Sequence, residues 1–104
     1  KGHAFLIMKI GGKAAGCAGI APSPAKDSGE GSFEMLGILP EFQGLGLEKR
    51  LIGFCIEEAR KLGYPRCRVD LSKQTHFPGT VLSDLGFLSS TNKQKDTSHL
   101  WTLN

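Results

Sequence analysis

The sequence predicts a single α/β domain, because strand-like and helix-like patterns alternate along a chain that is long enough for one core. At 104 residues there is room for one domain and not for two, and we expect residues 1–104 to form it. Hydrophobic residues make up 39% and charged residues 22%, which is ordinary for a globular protein and argues against disorder. The patterns predict the order β-β-β-α-β-α-β-β, with one β-α-β crossover in the middle.

Two strands joined by a tight turn open the chain. Residues 4–10 form an apolar, partly β-branched run, and Gly11-Gly12 separates it from a second run at 14–20. Two such runs around a glycine pair predict a β-hairpin. The second run contains only small side chains and one isoleucine, so we expect another part of the molecule to pack closely against it.

A loop and a third strand follow. Residues 22–31 combine proline, serine, glycine and charged residues, a composition typical of a loop. Residues 32–39 are mostly apolar, and Pro40 ends the run, which predicts a strand.

The longest regular element is a predicted helix at residues 47–62. Its apolar residues recur every three or four positions, as on the buried face of an amphipathic helix. Gly63 and Pro65 follow the last periodic residue and provide a stop.

Shorter elements complete the chain. Alternation predicts a strand at 66–71, and Gly86 ends a short predicted helix at 80–85. Short strands are expected at 87–88 and 99–103.

Composition and charge exclude several classes of function. The net charge of +3 is below what a nucleic-acid binder usually shows, and no apolar run approaches the roughly 18 residues of a membrane span. We therefore expect neither nucleic acid nor membrane as a partner. The chain begins with Lys1 and not with methionine, which suggests a processed or trimmed piece of a longer protein.

The cysteines and histidines indicate neither a disulfide framework nor a metal site. The cysteine count is odd, no Cys-x-x-Cys occurs, and no histidine has metal-ligand spacing to another histidine or a cysteine. We expect reduced thiols in the core of a cytoplasmic protein, and no metal. The residues concerned are Cys17, Cys55, Cys67, His3, His76 and His99.

The segment most informative about function joins the third strand to the long helix through Gln43-Gly44-Leu45-Gly46. A helix N-terminus presents unpaired N–H groups and partial positive charge, and glycines allow close approach of a ligand. With Lys49 and Arg50 nearby, the pattern predicts a phosphate or pyrophosphate site. A nucleotide P-loop is excluded because no Gly-Lys-[Ser/Thr] follows. A dinucleotide fingerprint is excluded because Gln43 stands where its first glycine is needed. The alternative is a tight turn without a ligand.

These residues resemble motif A of the GNAT superfamily of acetyl-CoA-dependent N-acyltransferases. That motif joins a strand ending in aliphatic-x-Pro to [Gln/Arg]-x-x-Gly-x-[Gly/Ala] and a long helix, as in residues 38–40 and 43–48 here. Residues 82–87 resemble the end of motif B, and residues 15–19 resemble the strand before motif A. The resemblance runs from about Phe5 to the C-terminus and implies a mixed, mostly antiparallel sheet. It also implies that strands three and four run parallel and splay apart to admit the cofactor.

The resemblance implies acetyl transfer from acetyl-CoA to a primary amine by direct attack in a ternary complex. The backbone of Leu36, Gly37 and Ile38 would pair with the pantetheine arm and the acetyl carbonyl. The pyrophosphate would be held by the loop and first helical turn, that is by Gln43, Gly44, Leu45, Gly46, Leu47, Glu48 and Lys49.

Glu34 is the candidate general base, since the motif A strand of this family commonly supplies a carboxylate. An amine must lose a proton before it attacks a thioester. Plain strand alternation would place Glu34 on the same face as Leu36 and Ile38. The alternative for Glu34 is a solvated strand carboxylate. His76 is expected to be a surface histidine, with a catalytic part as its alternative.

The chain departs from the family pattern at four places. Glu48 replaces the last small residue of the glycine motif, and Leu82 stands where a tyrosine often protonates the leaving thiolate. Thr75, followed by Pro78, stands where an asparagine often contacts pantetheine. The strand and two helices that normally precede Phe5 are missing.

These departures keep a second hypothesis open, a non-catalytic acyl-CoA-binding or interaction module. A homodimer, in which a second copy would complete the acceptor wall, is a possible assembly. The acceptor, a small-molecule or peptide amine, is not identified by the sequence.

Overall fold

The computed structural model describes residues 2–23, 29–71, 79–89 and 100–103. It confirms the predicted order of strands and helices, and a 3-10 turn at Pro40–Phe42 follows the third strand. The elements are β1 (Ala4–Ile10), β2 (Lys13–Pro22), β3 (Glu30–Ile38), α1 (Leu47–Lys61), β4 (Arg66–Asp70), α2 (Gly79–Asp84), β5 (Leu88–Ser89) and β6 (Leu100–Leu103).

The strands form one six-stranded sheet in the order β1-β2-β3-β4-β6-β5. Among the described strands, β3 and β4 pair in parallel and the other four pairings are antiparallel. The mixed, mostly antiparallel sheet is therefore confirmed. The parallel pair exists because α1 connects β3 to β4 as a crossover.

The first hairpin depends on its two glycines. Gly11 and Gly12 have φ angles of 57° and 84°, which ordinary side chains rarely adopt. These angles match a tight hairpin turn whose twist suits the flanking strands.

The small residues of β2 are packed as the sequence predicted. Ala15 and Ala18 have no exposed surface. A Cβ added at Gly16 would lie 2.5 Å from the Gly37 carbonyl oxygen. Glycine at this position therefore lets β2 and β3 approach each other.

Helix α1 forms because its apolar residues share one stripe, and this stripe covers the sheet. Leu51, Ile52, Cys55 and Ala59 have no exposed surface. The helix ends at Gly63, whose φ of 92° and N–H donation to the Arg60 carbonyl produce the predicted stop.

Both helices lie on the same face of the sheet. Phe33 of β3 and Phe87, which follows α2, pack edge to face with ring centroids 6.4 Å apart, and α1 contacts α2. We call the opposite face the open face, since no described helix covers it. The strand registers place Phe5, Gly19 and Arg68 there.

The core lies between the helices and the sheet. It includes Ile20, Phe33, Val69 and Leu82, each at most 2% exposed. In the described part of the chain, no helix combines the length and the apolar character that crossing a membrane requires.

Candidate functional site

The candidate site begins where the pairing of β3 with β4 ends. Their parallel pairing extends from Glu30↔Arg66 to Phe33↔Val69, and β3 then continues five residues to Ile38. β4 ends one residue later, at Asp70, so the splay of the two strands stays a prediction. The C-terminal half of β3 and the start of α1 lie at this end of the sheet.

A β-bulge interrupts β3 at Met35. Cys17 pairs with Gly37 but Gly19 pairs with Glu34, so β3 contains one more residue than β2 across this stretch. Met35 takes a φ of 53°, and its carbonyl accepts a hydrogen bond of 3.3 Å from the Cys17 Sγ. An extra residue changes the face to which the preceding side chains point.

Because of this bulge, Glu34 does not lie on the face of the sheet that the sequence predicts. Leu36 and Ile38 are buried beneath α1, whereas Glu34 is exposed and lies on the open face. The prediction that these three residues share a face is wrong, because plain alternation assumes an unbroken pleat. Among the described residues the Glu34 carboxylate has no hydrogen-bond or ion-pair partner.

A groove of about 330 Å³ lies on the open face beside Glu34. Phe5 and Met35, which are 57% and 60% exposed, border the groove, and His3 also lines it. A single carboxylate among apolar walls suits a cationic or neutral amine with an apolar body.

The loop between β3 and α1 is held by its own hydrogen bonds. The Gln43 side chain donates from Nε2 to the Ile38 carbonyl at 2.9 Å, and its backbone N–H donates to the Pro40 carbonyl at 3.2 Å. The Leu39 N–H also donates to the Ala15 carbonyl at 2.8 Å. Gln43 therefore holds the conformation of the loop through hydrogen bonds, and the residues after it remain available to contact a ligand.

The N-terminus of α1 has the features of an anion site. Gly44 and Gly46 both have φ of 79°, and a Cβ at either would meet no atom within 4 Å. Gly46 is the N-cap and supplies no side-chain cap, so the first N–H groups of the helix keep their capacity to bind an anion. Lys49 and Arg50 are exposed beside this turn.

The predicted loop residues differ in where their side chains lie. Leu45 is 66% exposed and Leu47 is only 7% exposed, so only the backbone of Leu47 can serve a ligand. Glu48 is half-buried in the first turn, where a carboxylate complements the helix dipole. Gly37 has open space at its Cβ position.

The structure offers no general acid at the motif B position. Leu82 has no exposed surface and belongs to the core. Tyr64 donates its hydroxyl to the Gly2 carbonyl at 2.7 Å, and burial raises its pKa above the ordinary value of 10.0. Thr75, His76 and Pro78 lie outside the described residues.

The cysteines confirm the expectation of buried thiols at two positions. Cys55 and Cys67 are buried, and Cys17 is half-buried. Burial raises the pKa of the Cys55 thiol to about 12, and the charges of Cys67 and Glu58 add to the effect. Burial also raises the pKa of the Cys67 thiol to about 11. In the described segments no three metal-binding side chains come together.

Sequence reasoning missed the bulge at Met35 and the place of Arg68. Neither has a clear signature, because methionine does not favour positive φ and an alternating arginine resembles any solvated strand residue. The paired glycine on the neighbouring strand, Gly19, is the one available hint, since glycine in a strand often marks a bulge.

The chain resembles known acetyltransferases in sequence. A family model described as the acetyltransferase (GNAT) family matches residues 1–77. An uncharacterized N-acetyltransferase of Escherichia coli, YjgM, is 30% identical over 86 residues, which are 83% of this chain and 52% of that protein. The chain thus spans about half the length of this curated relative.

Solved structures share the fold at lower identity. A GNAT family acetyltransferase from Brucella melitensis, in complex with acetyl-CoA, aligns with a TM-score of 0.69 and 19% identity, covering 95% of this chain and 56% of that one. The ribosomal-protein-S18-alanine N-acetyltransferase of Escherichia coli aligns with a TM-score of 0.71 and 18% identity, covering 97% of this chain and 68% of that one.

Proposed function

The chain belongs to the GNAT acetyltransferase family, and from this we propose that it transfers an acetyl group from acetyl-CoA to a primary amine. The observation that carries the proposal is the glycine-led N-terminus of α1, which has no side-chain cap and lies beside the point where the pairing of β3 with β4 ends. An anion site at this place is what the pyrophosphate of CoA requires.

The residues present fit acetyl-CoA. Gly44 and Gly46 leave space for a phosphate against the backbone, and Lys49 and Arg50 add positive charge beside it. We propose that the backbone of residues 43–49 holds the pyrophosphate and that residues 36–38 face the pantetheine arm. Bound there, acetyl-CoA supplies an activated acetyl group as a thioester.

Glu34 is the proposed general base. It lies exposed on the open face, in the groove where an amine can enter, and it precedes the strand segment assigned to the thioester. The amine gives up a proton to the Glu34 carboxylate, directly or through water. The neutral amine nitrogen then bonds to the acetyl carbon, the carbon–sulfur bond breaks, and the thiolate of CoA leaves. The nitrogen releases its second proton to the thiolate or to water, which leaves a neutral amide. Holding both substrates side by side lowers the barrier further.

Replacing Glu34 by glutamine tests this role. We expect Glu34→Gln to lower kcat by about 10²- to 10⁴-fold, the usual contribution of general-base catalysis, with acetyl-CoA affinity unchanged. The measurement is steady-state turnover of an amine panel, with the acetylated product identified by mass spectrometry.

The matched control is Glu57→Gln, an exposed carboxylate on α1, which should leave kcat unchanged. Equal turnover by Glu34→Gln and the unsubstituted chain would remove Glu34 from the mechanism without touching the cofactor site.

A non-catalytic acyl-CoA-binding module is the second candidate function. The observation in its favour is Leu82, which is fully buried where the family often carries a tyrosine acid. This candidate predicts acetyl-CoA binding in a calorimetric titration and no acetylated product from any amine, so confirmed product rejects it. A thiolate leaves readily without a proton donor, which is why we rank transfer first.

The proposed acceptor is a primary amine of a small molecule or a peptide. The proposed reaction involves no nucleic acid, no membrane and no metal. The homodimer and the cytoplasmic location stay predictions.

A further inference from the structure

Arg68 lies on the open face with part of its guanidinium unused. Its Nη1 donates to the Ser23 Oγ at 3.0 Å, while its Nε is buried without a hydrogen-bond partner in the described part of the chain. A buried N–H donor without an acceptor is costly, and native structures usually supply a partner. Within the described residues, no carboxylate pairs with this charge.

The strand registers place Arg68 near Glu34. Arg68 of β4 pairs with Ser32 of β3, and Glu34 follows Ser32 by two residues on the same face. Neighbouring strands lie roughly 4.8 Å apart and two residues of a strand span roughly 6.6 Å, so the two Cα atoms are roughly 8 Å apart. A small molecule with two charged groups can reach both side chains from this face.

The two side chains offer opposite charges to such a molecule. Glu34 attracts an amine, and the guanidinium of Arg68 binds carboxylates through paired N–H donors. Within the described residues Nη1 is engaged by Ser23 and Nε is shielded from solvent, so Nη2 is the donor group left for an incoming carboxylate.

We propose that Arg68 binds an anionic group of the acceptor, so that the acceptor is an amine that also carries a carboxylate. An amino acid with an apolar side chain fits best, because Phe5 and Met35 border the groove beside Glu34. This inference rests on the proposed function, since it names the substrate class of the same site.

Matched acceptors that differ only in the carboxylate test the inference. We expect acetyl transfer to L-leucine to exceed transfer to L-leucinamide in kcat/KM by at least about tenfold, as one charge-assisted hydrogen bond allows. Arg68→Gln should lower kcat/KM for leucine by a similar factor and leave that for leucinamide unchanged. Arg60→Gln, which removes an exposed cation from α1, should alter neither.

A binding measurement separates this inference from the proposed function. N-acetyl-L-leucine keeps the carboxylate but cannot be acetylated, and we expect it to bind the CoA-saturated chain more tightly than N-acetyl-L-leucinamide. Arg68→Lys keeps the charge without the paired donors, so it should keep part of this difference, whereas Arg68→Gln should abolish it.

The outcomes are distinguishable. Equal binding of the acid and the amide, or a preference that survives Arg68→Gln in a folded protein, overturns the role of Arg68 even if leucinamide is acetylated. Arg68-dependent binding of N-acetyl-L-leucine without turnover of any amine supports the anion site and contradicts the acetyl transfer.

Discussion

Gly46 occupies a position where the backbone conformation and the proposed binding of acetyl-CoA depend on the same residue. It is the N-cap of α1, it has left-handed backbone, and nothing stands within 4 Å of the place a Cβ would take. A side chain here would not clash with the protein. It would instead strain the backbone and fill the space in front of the helix N–H groups.

Gly46→Val should therefore abolish acetyl-CoA binding in a calorimetric titration while the chain stays folded by circular dichroism. The β-branched side chain is disfavoured at positive φ, with a cost of about 1–3 kcal/mol, and it blocks the anion. Gly53→Ala is the control, because its Cβ also meets open space but lies inside α1. It should bind acetyl-CoA normally, and unchanged binding by Gly46→Val would disprove the cofactor site.

Among the residues, sequence alone identified the loop glycines and misplaced Glu34. The glycines follow from local rules, since a strand, a turn and a helix N-terminus each have compositional signatures. The face of Glu34 depends on the bulge at Met35, which forms through pairing with a distant strand. The closeness of Arg68 to Glu34 likewise follows only from the pairing of Arg68 with Ser32, which the sequence does not reveal.

At the scale of elements, the approach of β2 to β3 determines how the site is shaped. Gly16 and Gly37 belong to the same stretch of ladder but have different surroundings. A Cβ at Gly16 would meet the Gly37 carbonyl oxygen at 2.5 Å and the Ile38 Cδ1 at 2.7 Å, whereas a Cβ at Gly37 would meet nothing within 4 Å. Backbone atoms of a paired strand cannot move aside without breaking the ladder.

We expect Gly16→Ala to reduce the free energy of unfolding by about 1–3 kcal/mol, as overpacking a close contact does. Gly37→Ala should be neutral or stabilise by up to about 1 kcal/mol, since alanine loses less conformational entropy on folding. Urea denaturation of both variants measures the difference. Equal destabilisation by the two would contradict the close approach at Gly16.

The order of elements was predictable because hydrophobic periodicity and glycine stops are local. Helix α1 was predicted within one residue of its observed end, and β1 was predicted with its observed bounds. The mostly antiparallel sheet and its parallel pair came from the family resemblance, whereas the strand order within the sheet was not predicted. The 3-10 turn at Pro40–Phe42 was missed, since three residues carry no periodicity.

At the scale of the whole molecule, two buried thiols lie in the core between the helices and the sheet. Cys55 lies on α1 and Cys67 on β4, and both are buried in the core. Their pKa values of about 12 and about 11 exceed the ordinary 9.0, because desolvation disfavours the thiolate. The folded state thus retains protons that the unfolded chain releases at lower pH.

The stability of the whole fold should therefore decline in alkaline solution. The contribution of the two thiols is fully present below pH 9.0 and is lost as the pH rises toward 11 and 12. Urea midpoints measured on both sides of pH 9.0 test this. A Cys55→Ala, Cys67→Ala variant should show a weaker dependence on pH, and an identical dependence would assign the effect to other groups.

Because of the single extra residue at Met35, even-numbered and odd-numbered side chains of β3 exchange faces of the sheet at this point. Upstream of it, even-numbered side chains such as Ser32 and Glu34 point to the open face, and downstream the even-numbered Leu36 and Ile38 point to the helices. Deleting one residue there would exchange the two sides for the whole upstream half of the strand, turning Glu34 into the core and Phe33 out of it. The proposed contacts to acceptor and cofactor thus lie on separate halves of one strand. We expect substitutions at 30–34 to alter the choice of acceptor while the loop at 43–46 keeps the proposed binding of acetyl-CoA.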